Sequence, residues 1–136
     1  MDKTKPKVMI VDDNPVCRKQ AETIAQKFCE CVSVGNGEDA VTAFVDTFRK
    51  KERKFDAIIL DFEMPFMNGI DVIIEIRKAE KKRKIEKKDQ AKIIMMTSHN
   101  DRMTVHACKS VGCNHYIIKP LSSDGLQKKL RLCNLI

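Results

Sequence analysis

The sequence has no tryptophan and one tyrosine. Few aromatic side chains stand among its lysines, which argues against recognition of single-stranded nucleic acid by base stacking. No apolar run approaches the ~20 residues that a membrane helix needs. The stretch from Met1 to Lys7 is charged and lacks the apolar segment of a secretory signal, so a cytoplasmic location is the default expectation. The six cysteines (Cys17, Cys29, Cys31, Cys108, Cys113 and Cys133) contain no CxxC pair. His99, His106 and His115 lie at no zinc-like spacing from a cysteine pair. The thiols therefore read as free side chains in a reducing compartment. Repeats, linkers and low-complexity tails are also absent. At 136 residues, with 43% hydrophobic and 33% charged side chains, the chain reads as a soluble single domain, 1–136, with a core of about 7–133.

The net charge of +7 is unevenly spread. Arg77 to Lys88 (RKAEKKRKIEKK) is net +6 and Arg49 to Lys54 (RKKERK) is net +4, so the remainder of the chain is net −3. Basicity belongs to two segments and does not by itself imply nucleic-acid binding.

Apolar runs and turn signals alternate along the chain. Lys7 to Val11, Val32 to Val34, Ala57 to Leu60, Ile93 to Met96 and Tyr116 to Ile118 read as short buried strands. Between them, apolar residues recur at three- and four-residue steps, as in Cys17, Ala21, Ile24 and Phe28. Asn14-Pro15 and Ser122-Ser123 provide helix starts, and Gly112 a helix stop. Five strands alternating with five helices imply a parallel sheet covered on both faces.

Four of these strands end in a reactive polar group: Asp12-Asp13, Asp61, Thr97 and Lys119. In an open parallel sheet all strand C-termini point to one edge, where ligands bind. Crowded carboxylates raise one another's pKa, and a hard divalent cation relieves the repulsion. Metal and lysine charge would also let a carboxylate attack an anionic phosphoryl group. Each piece alone has a plainer reading: Asp12-Asp13 as helix-capping acids, Asp61 as a turn residue, Thr97 as structural and Lys119 as a solvated cation. Their coincidence at one edge favours a site that takes a phosphoryl group onto Asp61.

The blocks VMIVDDNP (Val8 to Pro15), IILDFEMPFMNG (Ile58 to Gly69), IIMMTS (Ile93 to Ser98) and YIIKP (Tyr116 to Pro120) resemble the signature blocks of response-regulator receiver domains. The resemblance implies a doubly wound, flavodoxin-like α/β fold with strand order 2-1-3-4-5 and helices on both faces. It implies Asp61 as phosphoacceptor. Asp13 and Asp61 would ligate Mg²⁺ (or Mn²⁺) directly, Asp12 would act through water, and the backbone carbonyl of Glu63 would be a further ligand. Thr97 would bond the phosphoryl group, Lys119 would pair with it, and a cis Lys119–Pro120 peptide would aim the lysine into the cleft. Tyr116 would be an aromatic switch coupled to Thr97. Glu63 and His99 would tune the lifetime of the acyl phosphate.

The donor would be a histidine kinase or a histidine-phosphotransfer protein, with the receiver a monomer that binds neither membrane nor nucleic acid. The lengthened basic stretch leans towards a plant-type, stand-alone regulator. A receiver cut from a hybrid histidine kinase and a binding-only pseudo-receiver are the alternatives. A flavodoxin-like electron carrier would need a hydroxyl- and glycine-rich loop where DDNP stands, and an aspartyl-nucleophile phosphatase would need D-x-D where Asp61-Phe62-Glu63 stands. Both basic segments should lie on helix-to-strand connections at the edge opposite the acids. They read as solvated surface, as a nuclear-import signal or as a docking patch for an acidic partner.

Overall fold

The computed structural model describes residues 5–98 and 102–136. Each apolar run forms a strand: β1 (Lys7–Val11), β2 (Glu30–Val34), β3 (Ala57–Asp61), β4 (Lys92–Thr97) and β5 (His115–Ile118). They make one parallel sheet in the order β2-β1-β3-β4-β5. The helices are α1 (Pro15–Ala25), α2 (Gly37–Arg49), α3 (Gly69–Lys82), α4 (Arg102–Ser110) and α5 (Ser123–Leu132). No described helix is long and apolar enough to cross a membrane.

The central strands are apolar without interruption because both of their faces are covered. Alternate residues point to opposite faces. Met9, Val11, Ile58, Leu60, Ile93 and Met95 pack with Phe44 of α2, Val72, Ile73 and Ile76 of α3, and Cys108 of α4. Val8, Ile10, Ile59, Ile94 and Met96 pack with Ala21 and Ala25 of α1 and Leu126 and Leu130 of α5. Each fully buried aliphatic side chain contributes about 1.5–3 kcal/mol, so the three central strands dominate the stability of the sheet.

Short polar side chains set where four helices begin. Asn14 accepts from the N–H groups of Val16 and Cys17, Asn36 from Asp39, and Ser122 from Gly125. Asn68 and Asp71 form a reciprocal capping box at the start of α3. These helix starts all follow the C-terminal ends of strands, so the loops that carry the polar residues are pinned on both sides.

The basic stretch departs from the sequence expectation. Arg77 to Lys82 forms the last turns of α3, as a helix running into the lysine-rich stretch requires, so only its later part lies on the connection to β4, with a 3₁₀ turn at Lys87–Asp89. Arg77 is not a solvated cation. Its guanidinium donates to the carbonyls of Gly112 (2.7 Å) and Ala91 (2.9 Å), to Asn114 Oδ1 (2.9 Å) and to Glu80 Oε1 (2.7 Å). Glu80 is 1% exposed, and its second oxygen accepts the N–H of Ala91 at 2.8 Å. The carbonyls it takes lie outside the helices, since Gly112 follows α4 and Ala91 precedes β4. The planar five-donor fork of arginine satisfies several such groups at once. Glu80→Ala would leave Arg77 uncompensated and remove the acceptor for Ala91. It is expected to cost about 3 kcal/mol or more, read as a lower urea midpoint at unchanged slope.

Candidate functional site

The parallel register brings the polar strand ends together. Val11 of β1 lies beside Leu60 of β3, Asp61 beside Met96 of β4, and Thr97 beside Ile118 of β5. Asp12 and Asp13 follow β1 directly and Lys119 follows β5 directly. Asp12, Asp13 and Asp61 each place one carboxylate oxygen within 4.8 Å of the others. Asp12 and Asp61 are each 1% exposed, while Asp13 is exposed to solvent. Lys119 Nζ stands 2.8 Å from Asp61 Oδ1.

Backbone donors hold the acids in place. The N–H of Asn14 donates to Asp12 Oδ1 at 2.9 Å, and that of Glu63 to Asp61 Oδ1 at 3.0 Å. Arg18 donates to the carbonyl of Asp12 at 2.8 Å. On the other side, the N–H of Phe62 bonds the carbonyl of Met96 and that of Lys119 the carbonyl of Thr97, both at 2.8 Å. The Lys119–Pro120 peptide is cis. Thr97 is buried, 1% exposed, at the same edge.

The loop after Asp61 is tightly folded over the sheet. A Cβ on Gly69 would stand 2.8 Å from Met95 Cε and 3.0 Å from Phe62 Cα, so only glycine lets α3 start this close. Phe66 in the same loop has φ 67° and a fully exposed ring. A bulky residue in the left-handed region is strained, and such strain collects near functional loops.

Burial raises the Asp61 carboxyl above its ordinary pKa, against hydrogen bonds from Lys119 and the Glu63 N–H and the charge of Lys119, while Asp12 adds to the rise. Burial works against the Lys119 ammonium, yet the hydrogen bond and charge of Asp61, with Asp12 and Glu63, leave its pKa raised. Three carboxyl groups and one ammonium meet at this edge. Their donor set, all oxygen, suits a hard divalent cation such as Mg²⁺ or Mn²⁺. The residues present therefore fit a divalent metal, held by Asp12, Asp13 and Asp61.

Glu63 and Tyr116 have partners that the sequence did not disclose. The hydroxyl of Ser98 donates to Glu63 Oε1 at 2.6 Å, with the Ser98 N–H at 3.3 Å. The carboxylate thus ties the loop after β3 to the loop after β4. Tyr116 is half-buried against the face covered by α2, α3 and α4, with Lys129 Nζ 5.7 Å from its ring centroid. His99, expected as a second lifetime residue, lies outside the described residues.

An apolar groove beside the acids also escapes sequence reading. About 930 Å³ in volume, it runs between α1 and the segment after β5. Pro15, Val16, Ile24, Met96, Pro120 and Leu121 line it, and Asp12 and Lys119 belong to both groove and site. Val16 is 66% exposed and falls off the buried stripe of α1. An apolar residue off the helical stripe is the signal that could have marked it.

Residues 8–131 match the model of the response regulator receiver domain family. Over 126 residues the chain is 35% identical to hybrid signal transduction histidine kinase C of Dictyostelium discoideum, covering 92% of this chain and 10% of that protein. It is 26% identical over 133 residues to the two-component response regulator ORR1 of Oryza sativa subsp. indica, covering 94% of this chain and 54% of the regulator. The chain thus spans about half of that regulator and about a tenth of the kinase. Among solved structures it is similar to the co-crystal of the Saccharomyces cerevisiae histidine phosphotransfer protein Ypd1 with the receiver domain of Ssk1. The TM-score is 0.81 at 25% identity, over 100% of this chain and 95% of that one. It is also similar to the receiver domain of sensor histidine kinase PA1611 from Pseudomonas aeruginosa, which carries magnesium in its active-site cleft. That TM-score is 0.75 at 25% identity, over 96% of this chain and 97% of that one. With the strand order, the acidic edge and a family match over most of its length, the chain belongs to the response regulator receiver domains.

Proposed function

We propose that this chain is a phosphorelay receiver that takes a phosphoryl group from phosphohistidine onto Asp61. The carrying observation is the Asp61 carboxylate held 2.8 Å from Lys119 beside Asp12 and Asp13. A carboxylate oxygen of Asp61 forms the new P–O bond while the P–N bond to the donor imidazole breaks. The imidazole nitrogen keeps the bonding pair and takes up a proton from water. Lys119 then moves its charge from the carboxylate to the phosphoryl oxygens, and the Thr97 hydroxyl donates to another of them. Bound Mg²⁺ would supply charge neutralisation for the transferring group, held by Asp13 and Asp61, with Asp12 through water and the Glu63 carbonyl as further ligands. The catalysis is confined to the chain's own phosphorylation and dephosphorylation. Glu63 and His99 govern hydrolysis of the product, and Tyr116 reports the change at Thr97 to the outer surface.

The partner is a histidine-phosphotransfer protein or a histidine kinase, which would meet the apolar groove on α1. Similarity to the Ssk1 receiver, crystallised with a phosphotransfer protein, supports this reading. The groove supports it too, since Lys119 and Asp12 are among the residues that line it. Similarity to a plant response regulator supports a plant-type regulator as the context, and similarity to a hybrid kinase supports the receiver of a larger kinase as the second reading. We expect a monomer, in the cytoplasm or nucleus.

Incubation with a phosphorylated histidine-phosphotransfer protein and Mg²⁺ should add one phosphoryl group to the wild-type chain, mapped by mass spectrometry to Asp61. Asp61→Asn should accept none, and chelation of the metal should stop transfer to the wild type. Modification at another residue would refute the assignment.

Val16→Asp should slow transfer from the phosphorylated partner by about tenfold or more. Phosphorylation by acetyl phosphate, which needs no docking, should change little.

The site also sets a pH dependence. Asp61 has a folded pKa raised above its unfolded value, so the folded state holds more protons between the two. Stability from this group therefore falls as pH rises from the ordinary ~3.9 through the folded value. Without metal at neutral pH, Asp61→Asn should raise the thermal midpoint by on the order of a few degrees. The gain should vanish as pH drops below ~3.9. Differential scanning calorimetry at several pH values checks both the sign and the window.

A further inference from the structure

The opposite edge of the sheet holds a second concavity, of about 650 Å³, between the C-terminal ends of α3 and α4 and the start of β4. Arg77, Lys81, Lys84, Lys87, Lys92 and Lys109 line it, and no carboxylate does. Arg77 is neutralised by Glu80 at 2.7 Å. Among the described residues, none of the five lysines forms an ion pair. Five lysines with no ion-pair partner among the described residues, from α3, the turn after it, the 3₁₀ turn, β4 and α4, therefore line one volume.

Helix C-termini welcome cations, which accounts for a lysine in the last turn of α3 and of α4. It does not account for the other three. The carbonyls of Gly112 and Ala91 are already taken by Arg77, so they need no lysine. Lys84 is the more telling residue. Its φ is 57°, in the left-handed region where glycine normally follows a helix. A lysine there costs stability that glycine would save, yet it adds positive charge to the lining of the concavity. The volume lies within the range of small-molecule pockets. No aromatic residue lines it, so a nucleobase would find nothing to stack on.

We propose that this basic concavity binds a compact ligand carrying several clustered phosphate groups, at the edge of the sheet opposite Asp61. The shared chemistry is a set of neighbouring phosphate dianions, whether on a free small molecule or on a membrane lipid headgroup. Each ammonium that meets a phosphate relieves its repulsion with the other lysines, so affinity rises with phosphate number and falls with salt. The site is independent of the phosphoacceptor chemistry, because none of its lining residues touches the acidic edge.

The test uses the whole chain and calorimetric titration at physiological ionic strength. Inositol hexakisphosphate is the clustered probe and inorganic phosphate the single-phosphate comparison. Vesicles of phosphatidylcholine with and without phosphatidylinositol 4,5-bisphosphate distinguish the two sources. One variant carries Lys81→Gln, Lys84→Gly and Lys109→Gln. The matched control carries Lys50→Gln, Lys51→Gly and Lys128→Gln, which removes equal charge outside the concavity and also relieves a left-handed lysine, since Lys51 has φ 54°. We expect saturable binding of one hexakisphosphate, weakened on the order of tenfold in the first variant and no more than about threefold in the control. Lys84→Gly alone, whose backbone suits glycine, should weaken binding on its own and keep the fold. Binding to the inositide vesicles as well would assign the headgroup source, and binding only in solution would assign a free ligand. The proposal is overturned by an absence of saturable binding to either clustered probe. Equal weakening in both triple variants, or tighter binding to a short DNA duplex than to hexakisphosphate, would overturn it too.

Discussion

Everything at the acidic edge depends on holding the carboxyl groups of Asp61 and Asp12 together where water barely reaches them. At 1% exposure a charged group is costly, and burial pushes the Asp61 carboxyl up. Here the cost is opposed by donors fixed in the backbone, the Asn14 and Glu63 N–H groups, and by the ammonium of Lys119. None of these donors could hold station on a mobile loop. Their positions follow from strands that end in register and helices that start immediately afterwards under side-chain caps. The core is thus a condition of the chemistry, because it fixes charged groups where solvation alone would drive them apart.

That arrangement imposes a polarity on the whole molecule. Each helix starts at the acidic edge and ends at the other, since every crossover returns antiparallel to its strands. Helix N-termini, with their partial positive charge, therefore gather around the carboxylates, and C-termini gather around the lysines. Basic residues stand in the last turns of α2, α3, α4 and α5. The chain's +7 is in this sense sorted by topology: negative groups at one rim, positive groups at the other. Arg77 and Glu80 mark where sorting turns into structure, as an ion pair with a buried carboxylate that ties α3 to the segments just after α4 and just before β4.

Much of this is legible in the residues because chemistry and topology coincide at strand ends. A run such as Ala57 to Leu60 can only be a covered strand, and the residue after it, Asp61, must emerge at the sheet's edge. The order of strands and the convergence of Asp12, Asp13, Asp61 and Lys119 obey that rule. Strand limits are less legible: β2 begins at Glu30, two residues before its apolar core, because an edge strand needs backbone pairing and not burial. A solvated Arg77 is the wrong expectation because a helix's i and i+3 spacing says nothing about carbonyls contributed from Ala91 and Gly112. The Ser98–Glu63 bond and the α1 groove stay hidden for the same reason. Both join segments far apart in sequence whose facing surfaces no periodicity reports.

The meeting of groove and site has a consequence for how such chemistry can be controlled. Asp61 must be dry enough for Lys119 to act strongly on it, yet a donor has to reach it. An open polar cleft would satisfy the second need and fail the first. An apolar groove sharing Asp12 and Lys119 with the site reconciles them, because a partner laid into it would carry its own apolar surface against Val16, Ile24 and Leu121. Under the proposed transfer, docking and exclusion of water are then one event, and departure of the partner returns water to the acyl phosphate. Under the same proposal Glu63 and Ser98, bonded to each other between the loops after β3 and β4, would set how quickly that water acts.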